Sequence, residues 1–144
     1  MTITPQVPNG CFLACFQSFV EDTQPQIFQR FIVEMLPGLC NKGTKDEAVV
    51  FENDMATFCA HFGIEFKKLD PEWVPLPGKN EAIFIGSWKW EGIANKHHVV
   101  RMADIIDSEN FRIMNPSTSK IEDWNRTRLR DWDCSIYRLR YQTG

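Results

Sequence analysis

Three residue types that together perform nucleophilic catalysis follow one another along this chain. Cys11 opens an apolar segment, and His97 and His98 begin a later, alternating segment. Asn115 comes eighteen residues after His97. A thiol supplies a nucleophile, an imidazole takes up its proton, and a carboxamide fixes the tautomer of the imidazole. The order of these residues predicts a Cys-His-Asn thiol site.

The position of Cys11 favours the ionised form of its thiol. Apolar residues at positions 12, 13, 16, 19 and 20 have helical spacing, so Cys11 is predicted to lie at a helix N-terminus. Exposed N–H groups there stabilise a thiolate and can also hold a developing oxyanion. Most cysteines are nevertheless small apolar core residues. We interpret four of the five cysteines in that way: Cys15, Cys40, Cys59 and Cys134.

The two adjacent histidines must have different roles. Strand alternation puts His97 on one face with Val99 and Arg101, and His98 on the opposite face. Only one of them can face Cys11. A hairpin that runs from His97 to Asn115 would bring a strand start beside a strand end, as the orienting role requires. Asn-Pro by itself is an ordinary turn starter.

Helical patterns fill the first half of the chain and strand patterns the second. Helices are predicted over 11–20, over 25–37, and from a cap at Asn53 or Asp54 to Gly63. Strands are predicted over 64–69, 81–88, 97–106, 111–114 and 134–141. This order predicts a single α+β domain over residues 1–144, with N-terminal helices packed against a C-terminal antiparallel sheet. The arginine-rich stretch 126–130 is interpreted as a solvated, ion-paired surface.

Composition excludes several classes of protein. The net charge is −3 and the basic residues form no block, so nucleic acid is not an expected partner. The longest apolar run, residues 11–20, is half of the roughly 20 residues that a spanning helix needs, so no membrane insertion is expected. No positive charge precedes it, which argues against a Sec signal. We expect a protein that is cytoplasmic as synthesised, with reduced thiols; secretion without a cleavable signal stays open.

In these motifs the chain resembles the papain-like superfamily of cysteine proteases. It is most similar to the bacterial branches of double-glycine leader peptidases and of small type III effector proteases and deamidases. The resemblance rests on four segments: Gln6 in the lead-in, Cys11-Phe12-Leu13-Ala14-Cys15, His97-His98-Val99-Val100 with Ala103, and Asn115-Pro116. It implies a papain-like fold, with His97 as general base, Asn115 as its orienter, and Gln6 as a side-chain donor to the oxyanion hole. Phe12 stands where the leader peptidases commonly have Gly, which favours the effector-like branch.

The leading hypothesis is a thiol hydrolase that acts on an amide of a protein or peptide substrate. A protease and a Gln or Asn deamidase pass through the same thioester, so both stay open, and by analogy the enzyme would serve as a secreted bacterial effector or toxin. The alternative is a catalytically inert binding module on the same fold. In a third interpretation, Cys11, Cys15 and the histidine pair bind zinc, although their spacing is poor for a tetrahedral site. No cofactor or metal is expected, and the sequence does not indicate an oligomeric state.

Overall fold

One antiparallel sheet organises the protein in the computed structural model, which describes residues 1–4, 11–24, 26, 52–72, 74–89 and 98–142. Its strands are β1 (Ile64–Leu69), β2 (Glu81–Ser87), β3 (His98–Ile105), β4 (Asn110–Asn115), β5 (Lys120–Asn125) and β6 (Ser135–Tyr141). Their spatial order is β1-β6-β2-β3-β4-β5, and each neighbouring pair is antiparallel. The described helices are α1 (Cys11–Thr23), α2 (Glu52–His61) and α3 (Arg126–Asp131).

This architecture of helices and an antiparallel sheet agrees with the predicted α+β class. The first helix and the first strand begin where the sequence pattern predicts. In the described ranges, the ends of the four other predicted strands differ from the observed ends by one residue at most. The cap prediction at Asn53 or Asp54 is wrong, because α2 already includes Glu52. Gly63 ends this helical segment with a φ of +72°, a conformation that glycine adopts without strain. The helix predicted over 25–37 lies outside the described residues, apart from residue 26.

Two elements were absent from the sequence-based prediction, β5 and α3. β5 is an edge strand with only two apolar residues, Ile121 and Trp124, so its alternation is weak. α3 has six residues, too few for a helical period to be evident, and it coincides with the stretch interpreted as a solvated basic surface. That interpretation is only partly correct. Leu129 is buried, and the Arg128 guanidinium lies 4.1 Å from the Trp132 ring centroid.

Alternating side chains of the strands divide the core between the two faces of the sheet. α1 packs along β3 and α2 against β1, on the face to which Phe84, Val99 and Tyr137 contribute. The opposite face buries Ile83, Val100 and other apolar residues, and Leu129 of α3 covers part of it. None of the helices in the described ranges is long and apolar enough to cross a membrane.

A polar stripe of α1 faces β3 within this contact. Cys11, Cys15, Ser18 and Asp22 recur at i, i+4, i+7 and i+11, which places them on one side of the helix. The first two contact the backbone of Val99. The last two contact the side chain of Arg101, which is 6% exposed. The stripe therefore joins α1 to β3 at both ends of the contact.

Leu129→Ala tests whether the unpredicted helix α3 is part of the core. Removing a buried leucine side chain leaves a cavity, and we expect the free energy of unfolding to fall by about 3 kcal/mol. Urea unfolding measures this change. Thr127→Ala, on an exposed position of the same helix, is the control and should change it by about 0.5 kcal/mol or less. Equal effects of the two substitutions would show that Leu129 contributes no core packing.

Asp22 gives the stability a predictable pH dependence. Burial disfavours its ionised form, but hydrogen bonds from Thr2 and Arg101 outweigh burial and lower the pKa of the carboxyl. A carboxyl whose pKa is lower in the folded state stabilises the fold above its unfolded pKa, and this contribution is lost as the pH falls. Asp22→Asn should lower the free energy of unfolding at pH 7. Between about pH 5 and pH 3, the free energy of unfolding should fall less in the variant than in the unmodified protein. Urea unfolding across this pH range measures the free energy of unfolding of both proteins. Equal falls with pH in the variant and the unmodified protein would contradict the prediction.

Candidate active site

His98 and Asn115 form a buried polar pair at one end of the sheet. His98 is 5% exposed and Asn115 is 0% exposed, and His98 Nε2 lies 3.1 Å from Asn115 Oδ1. The β3–β4 register pairs Arg101 with Met114. Continued outward by one residue, this register sets Asn115 opposite Val100, so that His98 and Asn115 are diagonal neighbours. The strand start and strand end therefore lie side by side, as the predicted hairpin requires.

The backbone after β4 fixes the orientation of the Asn115 carboxamide. The N–H of Ser117 donates to Asn115 Oδ1 at 3.0 Å. Because a backbone N–H can only donate, the atom that it contacts must be the amide oxygen. The same oxygen must then accept the hydrogen bond from His98, so Nε2 carries a proton. Nδ1 is left as the imidazole nitrogen that can gain or lose one.

The histidine that contacts Asn115 is His98. His97, which the resemblance assigned as general base, lies outside the described residues, and so does Gln6. The predicted alternation is present in the strand residues that follow the two histidines, since Val99 packs in the core with α1 while Val100 packs on the opposite face. The sequence left the choice between the two histidines open; the structure shows that His98 contacts Asn115, and the alternation places the His98 side chain on the same face as Val100.

The thiol of Cys11 lies beside the peptide that links His98 to Val99. Cys11 is 9% exposed and begins α1, and its Sγ accepts a hydrogen bond from the N–H of Val99 at 3.4 Å. One turn later, Cys15 Sγ donates to the carbonyl oxygen of Val99 at 3.6 Å. Val99 lies beyond the end of the β3–β4 ladder, whose last pair contains Arg101. Two sulfur atoms of α1 thus bond both backbone groups of the residue after His98.

Opposing effects act on the ionisation of Cys11. Burial raises the pKa of the thiol and is the largest effect, while backbone N–H groups of Val99, Phe12 and Cys11 itself lower the pKa. The last two are the helix N-terminal donors that the sequence predicted would act on this sulfur. Since burial dominates, a thiolate at Cys11 requires a nearby cation such as an imidazolium.

The remaining described cysteines lie in the core, as predicted. Cys15, Cys59 and Cys134 are buried free thiols. Burial raises the pKa of each, to about 11 for Cys134 and well above the ordinary range for Cys15. All three are therefore protonated at neutral pH. Cys40 lies outside the described residues.

Ser87, the last residue of β2, is the neighbour of His98 on the other adjoining strand, and Trp88 follows it. Ser87 pairs with His98 in the β2–β3 register, and its Oγ donates to the carbonyl oxygen of Trp132 at 2.6 Å. The N–H of Lys89 donates back to Ser87 Oγ at 2.9 Å, which fixes the backbone around Trp88. Trp88 is 51% exposed. An aromatic side chain on a fixed backbone therefore borders this end of the sheet.

A zinc site is not formed by the described residues. No group of three His, Cys, Asp or Glu side chains among them is placed to hold a metal ion. Both sulfur atoms of the zinc interpretation, those of Cys11 and Cys15, bond the backbone of Val99 instead.

Comparison with known proteins assigns no family to this chain. No protein-family model matches it, and neither does any curated protein. Its function is therefore inferred from the residues and their geometry.

Asn115→Ala tests whether the polar pair contributes to stability. The substitution leaves the buried His98 imidazole without its oxygen acceptor, so we expect the free energy of unfolding to fall by about 2 kcal/mol. Asn110→Ala is the matched control at the other end of β4, where, among the described residues, the side chain bonds the exposed Asp107. Chemical denaturation compares the two variants. A cost no larger than that of the control would mean that the His98–Asn115 contact stabilises nothing.

Proposed function

We propose that this protein is a papain-like thiol hydrolase in which Cys11 is the nucleophile, His98 the general base and acid, and Asn115 the residue that orients His98. The observation that carries the proposal is the buried contact of His98 Nε2 with Asn115 Oδ1, whose oxygen is identified by the N–H of Ser117. This contact leaves Nδ1 for proton transfer. Cys11, at the start of α1, accepts a hydrogen bond from the backbone N–H of Val99, the residue after His98.

The first half of the reaction forms a thioester. Cys11 Sγ attacks the carbonyl carbon of an amide, and the thiol proton passes to His98 Nδ1. The resulting imidazolium keeps its Nε2–H on Asn115 Oδ1. The tetrahedral intermediate then collapses, the C–N bond breaks, and His98 returns the proton from Nδ1 to the leaving nitrogen. The products are a free amine and an acyl group bonded to Cys11.

The second half hydrolyses the thioester. A water molecule gives a proton to His98 Nδ1 and its oxygen attacks the acyl carbon. Collapse of this intermediate breaks the C–S bond, and the proton returns to the sulfur as the carboxylic acid leaves. Negative charge on the carbonyl oxygen in both halves requires preformed donors, and the N–H of Cys11 at the start of α1 suits that role. By resemblance, Gln6 would add a side-chain donor.

The substrate class is an amide of a protein or peptide. Cleavage of a backbone amide makes the enzyme a protease, and cleavage of a Gln or Asn side-chain amide makes it a deamidase. Both reactions use the thioester described above, so the same three residues serve either one. The placement of the thiol helix along the histidine strand, with the asparagine on the next strand, is what the papain-like resemblance implies. A role as a secreted bacterial effector or toxin rests on analogy with that branch alone.

A catalytically inert binding module is the second candidate. It is favoured by the burial of Cys11, which leaves 9% of the residue exposed and raises the pKa of its thiol. In this case His98 and Asn115 would only satisfy one another as buried polar groups. The two candidates differ in the reactivity of Cys11, which an experiment can measure without knowledge of the substrate.

Alkylation by iodoacetamide as a function of pH, followed by peptide mapping, distinguishes the two candidates. If His98 supplies the counter-charge, Cys11 should react well below pH 8, because an ordinary thiol with a pKa of about 8.5 is almost fully protonated there. His98→Ala should remove this low-pH reactivity. His61→Ala, which changes an exposed histidine on α2, should leave it unchanged.

Two further outcomes complete this experiment. Cys11→Ala should eliminate the low-pH labelling while the protein stays folded, since the substitution removes one sulfur atom with weak hydrogen bonds. Labelling of Cys11 that follows an ordinary or raised thiol pKa in the unmodified chain would contradict the catalytic proposal and support the binding module.

A further inference from the structure

Arg101 lies at the centre of a partly buried polar cluster at the other end of the α1–β3 contact. Its Nη1 donates to Ser18 Oγ and to Asp22 Oδ2, each at 2.7 Å. Its guanidinium also lies 5.6 Å from the ring centroid of Phe19. The side chains of Arg101 and Asp22 are 7% and 22% exposed, so the guanidinium of this ion pair is buried and the carboxylate is partly accessible to water. We call Arg101, Ser18, Asp22 and Thr2 the Arg101 cluster.

The N-terminal segment completes this cluster. Ser18 Oγ donates to the carbonyl oxygen of Thr2 at 2.6 Å while it accepts from Arg101. The N–H of Thr2 donates to Asp22 Oδ1 at 3.1 Å. The Ser18 hydroxyl and the Asp22 carboxylate are thereby satisfied, whereas Arg101 Nε has no hydrogen-bond partner among the described residues.

We propose that Arg101 is a positioning residue that sets the register of α1 along β3, and thereby the place of the Cys11 thiol beside His98. This inference rests on the proposed function. Arg101 is three residues from His98 on one strand, and Asp22 is eleven residues from Cys11 on one helix. The ion pair therefore joins the element that carries the base to the element that carries the nucleophile.

The two ends of the α1–β3 contact differ in strength. At the Cys11 end, the hydrogen bonds involve sulfur, at 3.4 and 3.6 Å, and sulfur is a weak donor and acceptor. At the Asp22 end, the bond joins two opposite charges at 2.7 Å, and such bonds are about twice as strong as neutral ones. The charged end therefore dominates the polar interactions that fix the helix along the strand.

A small shift of α1 would be sufficient to impair the site. Moving a helix along its axis by one residue displaces each side chain by about 1.5 Å. A misplacement of about 1 Å at a reacting group can reduce a rate by about 100-fold. A residue that touches no substrate can therefore control the reactivity of Cys11 through the helix.

Arg101→Met is the principal test, read out by the pH profile of Cys11 alkylation with iodoacetamide under conditions in which circular dichroism shows the variant folded. We expect the Cys11 rate at pH 6 to fall by about tenfold or more. Arg101→Lys, which retains the charge, should recover part of the rate. Arg112→Met is the matched control, because Arg112 forms an exposed pair with Asp123 at 3.6 Å on the neighbouring strand, and it should leave the profile unchanged.

Hydrogen exchange at the Val99 amide separates this proposal from the proposed function. The Val99 N–H bonds Cys11 Sγ whether or not the protein is an enzyme, so Arg101→Met should accelerate its exchange. If the unmodified chain shows no low-pH reactivity but Arg101→Met still accelerates Val99 exchange, the catalytic proposal fails and the positioning role holds. Where Arg101→Met does not fold, Asp22→Asn removes the same ion pair with both groups still polar. A loss of stability with unchanged Val99 exchange and unchanged Cys11 reactivity would overturn the positioning role.

Discussion

The candidate site depends on the packing of α1 along β3. The helix carries Cys11 and the strand carries His98. Cys11 and Val99 are 88 positions apart in the chain, so only long-range packing brings them into contact. A polar stripe of α1 contributes to the contact, with two sulfur atoms on the backbone of Val99 and an ion pair between Asp22 and the buried Arg101. Apolar burial on the same face supplies most of the stabilisation, but it is non-directional, and the polar contacts of the stripe are the directional ones.

Burying His98 and Asn115 removes their polar groups from water, and this free-energy cost is offset in full only if every polar group forms a hydrogen bond in the protein. The amide oxygen of Asn115 is satisfied twice, by His98 Nε2 and by the Ser117 N–H, whereas its Nδ2 has no hydrogen-bond partner among the described residues. A core built for stability alone would favour an apolar pair here. The imidazole is consequently held in one tautomer at a thermodynamic cost, an arrangement typical of functional sites.

The environment of Cys11 disfavours ionisation of its thiol by itself. Burial raises the pKa of the thiol more strongly than the surrounding N–H groups lower it, so an isolated thiolate is disfavoured. An adjacent imidazolium would provide the missing counter-charge, and proton transfer from sulfur to His98 Nδ1 would create both charges at once. The same burial keeps Cys15, Cys59 and Cys134 protonated. Reactivity in this proposal therefore comes from the partner of the thiol rather than from its exposure.

The sequence by itself determined the elements with a strong local period and the residue types of the site. Apolar spacing predicted α1 with Cys11 at its start, and alternation predicted five of the six strands, because burial on one face leaves a periodic pattern in the chain. β5 and α3 lacked that signal, since few of their residues are buried. The pairing of His98 with Asn115 was decided by tertiary structure alone. Adjacent strand residues point to opposite faces, so the choice between His97 and His98 depends on how β3 and β4 align, and long-range packing sets that alignment.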